Sequence, residues 1–169
     1  MAPPIDKAAK IGLLVLDVDG VLTDGRLHFS SDGSEIKSFD VRDGAGIKAL
    51  VRDGVMVAVI SGRRSAAVDT RMAELGVDRV FQGCDDKAQV LQALMNEAGV
   101  ISEQVACVGD DTPDLPMFDH VGLAIGVADA HPEVIAGAHW TTHSRGGFGA
   151  VREVCDMILA ARAGTHRTG

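Results

Sequence analysis

Carboxylates at two separated places in this sequence have the spacing of a site for a divalent cation and an anion. Asp17 and Asp19 stand two positions apart, and Asp110, Asp111 and Asp114 form a second cluster. Carboxylates that meet without compensation repel one another and raise their own pKa values, so a fold gains from such a meeting only where a cation binds. A carboxylate-rich set of oxygen ligands suits a hard ion, and Mg²⁺ is the natural candidate.

Ser61, Arg63 and Lys87 add groups that a phosphate would need. Each has an ordinary interpretation by itself. A Ser-Gly pair is commonly a turn, a lone lysine is commonly a solvated charge, and aspartates commonly cap helices. A joint role therefore depends on whether the fold brings these residues to one place.

Continuous apolar runs alternate with amphipathic segments along the chain. The runs cover residues 11–18, 55–60, 79–82, 104–108, 121–127 and 138–142. Such runs predict strands buried on both faces, which are typical of a parallel sheet covered by helices. The longest amphipathic stretch, 151–159, follows a glycine-rich segment at 146–149. The alternation predicts an α/β fold, a right-handed and doubly wound parallel sheet of the Rossmann-like kind.

This fold places the candidate residues at one edge of the sheet. Ligands of open α/β sheets bind beyond the carboxyl ends of the strands. The first run leads into Asp17, the second into Ser61 and the fourth into Asp110, while Lys87 begins the segment after the third run. We therefore expect these side chains to converge on one site.

Residues 26–40 break the alternation. The polar turn sequence at 31–34 stands between two arms compatible with β-structure, which predicts a β-hairpin beside the end of the first strand. The sequence contains no repeat or linker, so residues 1–169 are predicted to form a single domain. Residues 163–169 are expected to be a disordered tail.

Charge and composition narrow the possible partners. The formal net charge of −8 argues against a nucleic-acid partner or an anionic membrane surface. It does not argue against a small anion, because a metal and a few cations invert the local field. Three widely spaced cysteines suggest neither a disulfide framework nor a zinc site. Because the sequence has no signal-peptide pattern and no stretch of transmembrane length, we expect a cytoplasmic protein with no membrane partner.

The motifs as a set resemble those of the haloacid dehalogenase superfamily of phosphohydrolases. The matching residues, in chain order, are Asp17-Val18-Asp19-Gly20-Val21-Leu22-Thr23-Asp24, Ser61, Lys87 and Gly109-Asp110-Asp111-x-x-Asp114. The resemblance implies that Asp17 attacks phosphorus to form an aspartyl-phosphate and that Asp19 acts first as acid and then as base. It also implies that Ser61 and Lys87 hold the phosphoryl oxygens. An ionised carboxylate needs no base to attack, and a metal with a lysine relieves its repulsion from phosphate.

The same resemblance implies a Mg²⁺ cofactor. Its ligands would be the side chain of Asp17, the backbone carbonyl of Asp19 and the side chain of Asp110. Asp111 and Asp114 would be additional or supporting ligands.

Members of this superfamily usually carry a cap domain, for which this sequence leaves no room. From Asp19 to Ser61 is 42 positions, which the hairpin, one helix and one strand fill, and the 26 positions from Ser61 to Lys87 suffice for a helix and a strand. Expelling water strengthens the electrostatics of a site, so an uncapped site needs another cover. We expect neighbouring subunits to provide it through the hairpin. The alternatives are a macromolecular substrate that acts as the lid and a hairpin that is only a surface feature.

Longer matches favour one branch of the superfamily. Segments 41–48, 61–63, 127–132 and 146–153 resemble the 3-deoxy-D-manno-octulosonate 8-phosphate phosphatases, capless homotetramers of lipopolysaccharide precursor synthesis. This implies a small anionic sugar-acid phosphate as substrate, bound by Asp19 and Lys87 together with Arg63 and Arg71. The planar fork of arginine suits a sugar carboxylate. Arg71 would reach it in an adjacent protomer, although an ordinary solvated helix position explains this residue equally well.

Other functions remain open from the sequence. A nonulosonate 8-phosphate or another small sugar phosphate would require the same chemistry. A phosphotransferase or mutase is less favoured because it normally needs a cap to hold the acceptor. A noncatalytic binding module with this fold is disfavoured by the intact Asp17, Asp19, Lys87 and Asp110.

Overall fold

The first long apolar run of the sequence forms a central strand of a parallel sheet. The computed structural model describes residues 2–165. In chain order the elements are α1 (Ile5–Ala8), β1 (Leu13–Leu16), β2 (His28–Phe29), β3 (Glu35–Ile36), α2 (Val41–Arg52), β4 (Met56–Ser61), α3 (Ala66–Leu75), β5 (Arg79–Gln82), α4 (Lys87–Ala98), β6 (Val105–Gly109), α5 (Leu115–Phe118), β7 (Leu123–Gly126), α6 (Pro132–Gly137), β8 (Trp140–Thr141) and α7 (Ala150–Thr165). Short 3₁₀ turns cover Ser102–Gln104 and Thr112–Asp114.

The six strands of the main sheet run parallel in the order β5-β4-β1-β6-β7-β8. Every residue of β1, β6 and β7 is buried, as expected for strands covered on both faces. Strands β4 and β5 lie on one side of β1, and strands β6, β7 and β8 lie on the other. The prediction of a doubly wound α/β sheet is confirmed, and the strand order reverses beside β1, where such folds bind ligands.

The ends of the predicted strands differ from those in the structure. The run at 11–18 contains β1 in its middle, and the run at 138–142 contains only the two residues of β8. Ile11 and Val18, at the two ends of the first run, are buried in the core although they lie outside β1, and the backbone leaves the sheet ladder at the turn that carries the first aspartates. The apolar runs therefore predicted which residues are buried more accurately than they predicted which residues form the hydrogen bonds of the sheet.

Residues 26–40 contain the predicted hairpin. Strands β2 and β3 pair antiparallel through His28 with Ile36 and Phe29 with Glu35. The paired arms are only two residues long, shorter than the predicted segment. Between β1 and α4 the described chain contains only this hairpin, α2, β4, α3 and β5, so no cap domain is inserted there.

The C-terminal helix extends further than the sequence predicted. Helix α7 continues through Thr165, so the prediction that the tail begins at residue 163 is wrong for its first three residues. Residues 166–169, the rest of that predicted tail, lie outside the described residues. The apolar side chains at 151, 154 and 158 are buried, and α7 packs against α2 and α1. A helix with a packed face continues past its last apolar residue at little cost.

Candidate active site

The turn after β1 carries the first two candidate residues. Asp17 extends the ladder of β1, since its backbone N–H donates to the carbonyl of Val108 at 3.1 Å. The chain then curls, and the carbonyl of Val18 accepts hydrogen bonds from the N–H groups of the residues three to five positions later. The side chain of Asp17 is only 7% exposed at the carboxyl edge of the sheet. The sequence thus fixes this carboxylate by attaching it directly to a buried strand.

Gly20 allows a second carboxylate to approach this turn. Its φ is +97°, and a Cβ at this position would lie 2.0 Å from Oδ2 of Asp110. The glycine is therefore required by both its backbone conformation and the proximity of Asp110. The glycine-rich segment before α7 supports the same turn from outside, because a Cβ on Gly146 would lie 1.7 Å from the carbonyl oxygen of Gly20.

Lys87 joins the ends of two strands. It is the first residue of α4 and reaches the carboxyl edge of the sheet. There its Nζ lies 2.7 Å from Oδ1 of Asp17 and 2.7 Å from Oδ1 of Asp114. Its side chain is 8% exposed, so the two ion pairs compensate for the loss of hydration. Burial alone would lower the pKa of Lys87, but these carboxylates outweigh burial and raise it.

Asp114 organises the loop after β6. Its Oδ2 accepts hydrogen bonds from the backbone N–H of Asp110 at 3.0 Å and that of Asp111 at 3.4 Å, while Oδ1 pairs with Lys87. Asp111 caps the following 3₁₀ turn by accepting from the N–H of Thr112 at 2.7 Å. Both oxygens of Asp114 are therefore engaged by protein groups, which favours a supporting role over direct ligation.

Three carboxylate oxygens, one each from Asp17, Asp110 and Asp114, lie within 4.8 Å of one another. Burial, followed by the charge of Asp114, raises the pKa of Asp17 to about 6, although Lys87 opposes the shift. Burial, followed by the charges of Asp17 and Asp114, raises the pKa of Asp110 to about 8. One lysine is too little positive charge for this cluster. The donor set therefore fits a hard divalent cation such as Mg²⁺, which Asp17 and Asp110 would hold.

The site lies in an open cavity of about 330 Å³ at the carboxyl edge of the sheet. Its lining residues are Asp17, Asp19, Gly25, Ser61, Gly62, Arg63, Lys87, Asp110, Asp111, Pro113 and Asp114. Ser61 is the last residue of β4 and is buried. The structure thus brings together every predicted catalytic, metal-binding and supporting residue.

The two arginines predicted to bind substrate occupy different places. Arg63 lines the cavity, with its Nε 3.6 Å from Oδ2 of Asp19. Arg71 does not line this cavity. Its guanidinium lies against Gly44 of α2, and its Nη1 is 3.2 Å from Glu74. A role for Arg71 at the site of its own chain has no support in this geometry, so its predicted role across a subunit boundary stays a prediction.

Two charged residues of the hairpin reach the site without having been singled out from the sequence. Lys37, just after β3, contacts the carboxylate of Asp19 and lies 3.5 Å from Glu35. Their only sequence signal is that the hairpin follows closely on the first aspartates. Polar residues in a hairpin are ordinary, so spacing could not identify them.

Among the described residues no helix combines the length and the apolar character needed to cross a membrane.

Comparison with known families gives a consistent result. A family profile described as haloacid dehalogenase-like hydrolase matches residues 80–153. The 3-deoxy-D-manno-octulosonate 8-phosphate phosphatase of Salmonella typhi is 46% identical over 156 residues, which cover 92% of this chain and 83% of the relative.

Solved structures agree with the sequence comparison. The crystal structure of the 3-deoxy-D-manno-octulosonate 8-phosphate phosphatase from Yersinia pestis superposes with a TM-score of 0.93 at 45% identity, covering 94% of this chain and 86% of that one. The phosphatase of the same description from Moraxella catarrhalis, solved with magnesium, phosphate and 3-deoxy-D-manno-octulosonate, gives a TM-score of 0.92 at 41% identity, covering 96% and 94% of the two chains.

The raised pKa values of the acidic cluster predict how stability depends on pH when no metal is bound. The folded-state pKa values of Asp17 and Asp110 exceed the value of about 3.9 of an unfolded aspartate. The folded state therefore binds more protons than the unfolded state between about pH 4 and pH 8, and the contribution of these groups to the free energy of unfolding falls as pH rises through that window. Asp110→Asn removes the group with the higher pKa. We expect this variant, in a chelator, to melt a few degrees above the wild type at pH 8, since about 1 kcal/mol corresponds to roughly 2–4 °C.

Circular-dichroism melts at pH 8 and pH 5 test this expectation. The difference in melting temperature between Asp110→Asn and the wild type should be smaller at pH 5. Asp78→Asn, which removes the same charge at an exposed residue outside the acidic cluster, is the matched control and should melt with the wild type. Added Mg²⁺ should stabilise the wild type more than Asp110→Asn. If metal-free Asp110→Asn melts at or below the wild-type temperature at pH 8, repulsion among the carboxylates of the cluster does not lower the stability of the wild type.

Proposed function

Because this chain belongs to the 3-deoxy-D-manno-octulosonate 8-phosphate phosphatase family of haloacid dehalogenase-like hydrolases, we propose that it hydrolyses that sugar-acid phosphate to the free sugar acid and phosphate. The chain is a phosphatase of this superfamily. We place its reaction in lipopolysaccharide precursor synthesis in the cytoplasm.

The observation that supports this function best is the contact between Asp17 and Lys87. The carboxylate stands 2.7 Å from the ammonium and within the acidic cluster that fits Mg²⁺. A nucleophilic carboxylate needs a cation beside it, because a phosphate dianion would otherwise be repelled. When bound, the magnesium ion screens this repulsion and stabilises the charge on the transferring phosphoryl group.

In the proposed first step, an Oδ atom of Asp17 bonds to phosphorus while the bond from phosphorus to the sugar oxygen breaks. The carboxylic acid of Asp19 gives its proton to the leaving oxygen, so that the sugar departs as an alcohol. Lys87 and the hydroxyl of Ser61 hold the phosphoryl oxygens as their charge is redistributed. Both lie in the same cavity as Asp17.

In the proposed second step, the ionised Asp19 takes a proton from water. The water oxygen bonds to phosphorus and the acyl-phosphate bond to Asp17 breaks. Phosphate leaves, the carboxylate of Asp17 is restored, and Asp19 again carries the proton needed for the next turnover.

Recognition of the sugar acid is assigned to cations at the mouth of the cavity. Arg63 is about half exposed there, and its guanidinium can exchange its contacts with Glu35 and Asp19 for a substrate carboxylate. Arg71 remains a candidate only from a neighbouring subunit, since it does not line the cavity of its own chain.

We also propose a homotetramer that covers the open site. The hairpin exposes apolar side chains next to the cavity, with Phe29 60% and Ile36 54% exposed. Exposed apolar groups that cluster on one projecting element favour burial in an interface. Covering this side of the site excludes water from the reacting charges.

A panel of phosphomonoesters tests the substrate. With Mg²⁺ present, we expect kcat/KM for 3-deoxy-D-manno-octulosonate 8-phosphate to exceed that for a nonulosonate 8-phosphate and for p-nitrophenyl phosphate by at least about tenfold, roughly 1.4 kcal/mol of discrimination. A chelator should abolish turnover. Preference for the nine-carbon acid would overturn the substrate assignment, and absence of phosphate release from every ester would overturn the enzymatic function.

Two isosteric substitutions test the roles of the first aspartates. Asp17→Asn removes the attacking charge and should lower kcat by more than about 1,000-fold without changing the fold. Asp19→Asn should still be phosphorylated by p-nitrophenyl phosphate, whose leaving group needs little protonation, and should accumulate phosphoenzyme because hydrolysis is blocked.

Rapid-quench measurement of phosphoenzyme and steady-state phosphate release give both results. Asp78→Asn, an exposed residue just before β5, is the control and should behave as the wild type. Asp17→Asn activity within about tenfold of the wild type, or rapid steady-state turnover by Asp19→Asn, would contradict the assigned role.

Light scattering tests the assembly. We expect the wild type at micromolar concentration to have four times the chain mass, and Phe29→Asp to have a smaller mass because the charge is costly to bury. Ile101→Asp changes a residue of similar exposure, 62%, in the loop after α4 and is the matched control. A monomeric wild type, or equal losses in both variants, would argue against assembly through the hairpin.

A further inference from the structure

Four charged side chains join the hairpin to the mouth of the cavity, and we call them the charge quartet: Asp19, Glu35, Lys37 and Arg63. Arg63 Nη2 lies 2.9 Å and Lys37 Nζ lies 3.5 Å from the same Oε1 of Glu35. Lys37 also contacts Oδ1 of Asp19, and Arg63 Nε is 3.6 Å from Oδ2. Each carboxylate of the quartet therefore faces both cations.

The two cations of the quartet differ in how firmly they are held. The side chain of Lys37 is 2% exposed, whereas that of Arg63 is 47% exposed. A buried ammonium without partners is strongly destabilising, so Lys37 is fixed to its carboxylates. An exposed ion pair contributes little and rearranges easily. The persistent contact of Asp19 is therefore the one with Lys37.

This contact sets where the carboxylate of Asp19 can be. Asp19 lies in the turn after β1, beyond the backbone hydrogen bond that attaches Asp17 to the sheet, so its side chain depends on its own contacts for its position. One oxygen held by Lys37 fixes the side-chain torsions and directs the carboxyl group toward the hairpin side of the cavity. Catalytic groups displaced by about 1 Å lose a large part of their effect.

From this geometry we infer that Lys37 is a positioning residue for the phosphatase reaction, which holds Asp19 where it exchanges protons with the leaving oxygen and with the attacking water. The inference rests on the proposed function, because it takes Asp19 to be the acid and base. Lys37 itself touches no reacting atom. It acts through Asp19, and Glu35 keeps it in place from the other side.

A purely structural role for Lys37 makes a different prediction. If the residue only attached the hairpin, its loss would lower stability and would slow both chemical steps in proportion. A positioning role acts mainly where Asp19 transfers a proton. With p-nitrophenyl phosphate the first step needs little help from an acid, whereas hydrolysis of the aspartyl-phosphate always needs the base.

The decisive experiment compares Lys37→Met, Lys37→Arg and Lys48→Met with Mg²⁺ and p-nitrophenyl phosphate. Lys48 is exposed on α2, so Lys48→Met makes the same chemical change outside the site. For Lys37→Met we expect the rate of phosphoenzyme hydrolysis to fall about 10- to 100-fold. This is part of the rate enhancement of roughly 10²- to 10⁴-fold that general acid–base catalysis typically provides. The first step should change less than about threefold, so rapid quench should show phosphoenzyme accumulating. Lys37→Arg should recover part of the loss, and Lys48→Met should match the wild type.

Melting curves and light scattering establish that each variant is folded and assembled as the wild type is. If Lys37→Met is not folded, the same two rates are measured on Lys37→Gln. Hydrolysis within about threefold of the wild-type rate, or equal losses in both steps, would overturn the inference.

Failure of the inference is distinguishable from failure of the proposed function. A wild type without phosphatase activity would remove the function itself. An active wild type, with Asp19→Asn accumulating phosphoenzyme and Lys37→Met behaving as the wild type, would remove only the role of Lys37.

Discussion

The ammonium of Lys87 between two buried carboxylates is the interaction on which the rest of the site depends. Asp17 follows β1, Asp114 follows β6 and Lys87 begins α4, so one cation connects three separate parts of the chain through two contacts of 2.7 Å. Without it, two buried negative charges would face each other. With it, the cluster is still short of positive charge, because Asp110 adds a third carboxylate. The protein therefore folds into a site that a divalent cation completes.

The convergence of these groups could be predicted from the sequence because residues that follow different strands of a parallel sheet lie at the same edge of the sheet. Each candidate stood directly after an apolar run or at the start of a helix, and carboxyl ends of parallel strands share one edge. That Asp114 is an additional or supporting ligand stays a prediction, and nothing in the sequence indicated its contacts. Only the structure shows that the backbone N–H groups of Asp110 and Asp111 occupy one of its oxygens. The positions of Arg71 and Lys37 could not be predicted, since both depend on where a long side chain turns after leaving its element.

Because the described chain has no cap between β1 and α4, the hairpin has two roles beside the site. Phe29 and Ile36 on its strands are apolar and exposed, while Glu35 and Lys37 at its second strand pair with Arg63 and Asp19. A single short element thus carries the surface assigned to assembly and the contact that holds Asp19. With only two paired residues in each strand, the hairpin has few interactions of its own and relies on its neighbours for order. Assembly and the geometry of the acid–base group are therefore expected to be linked.

The approach of Gly146 to Gly20 has a consequence for biosynthesis. The turn that carries the first aspartates is made early, but the backbone that supports it from outside lies near the other end of the sequence, where a Cβ on Gly146 would lie 1.7 Å from the carbonyl oxygen of Gly20. A nascent chain that has emerged from the ribosome only as far as α6 has the strands of the site but no backing for its catalytic turn. The turn of the first motif therefore gains this backbone contact only after residues 146 and 147 have been made, long after the turn itself.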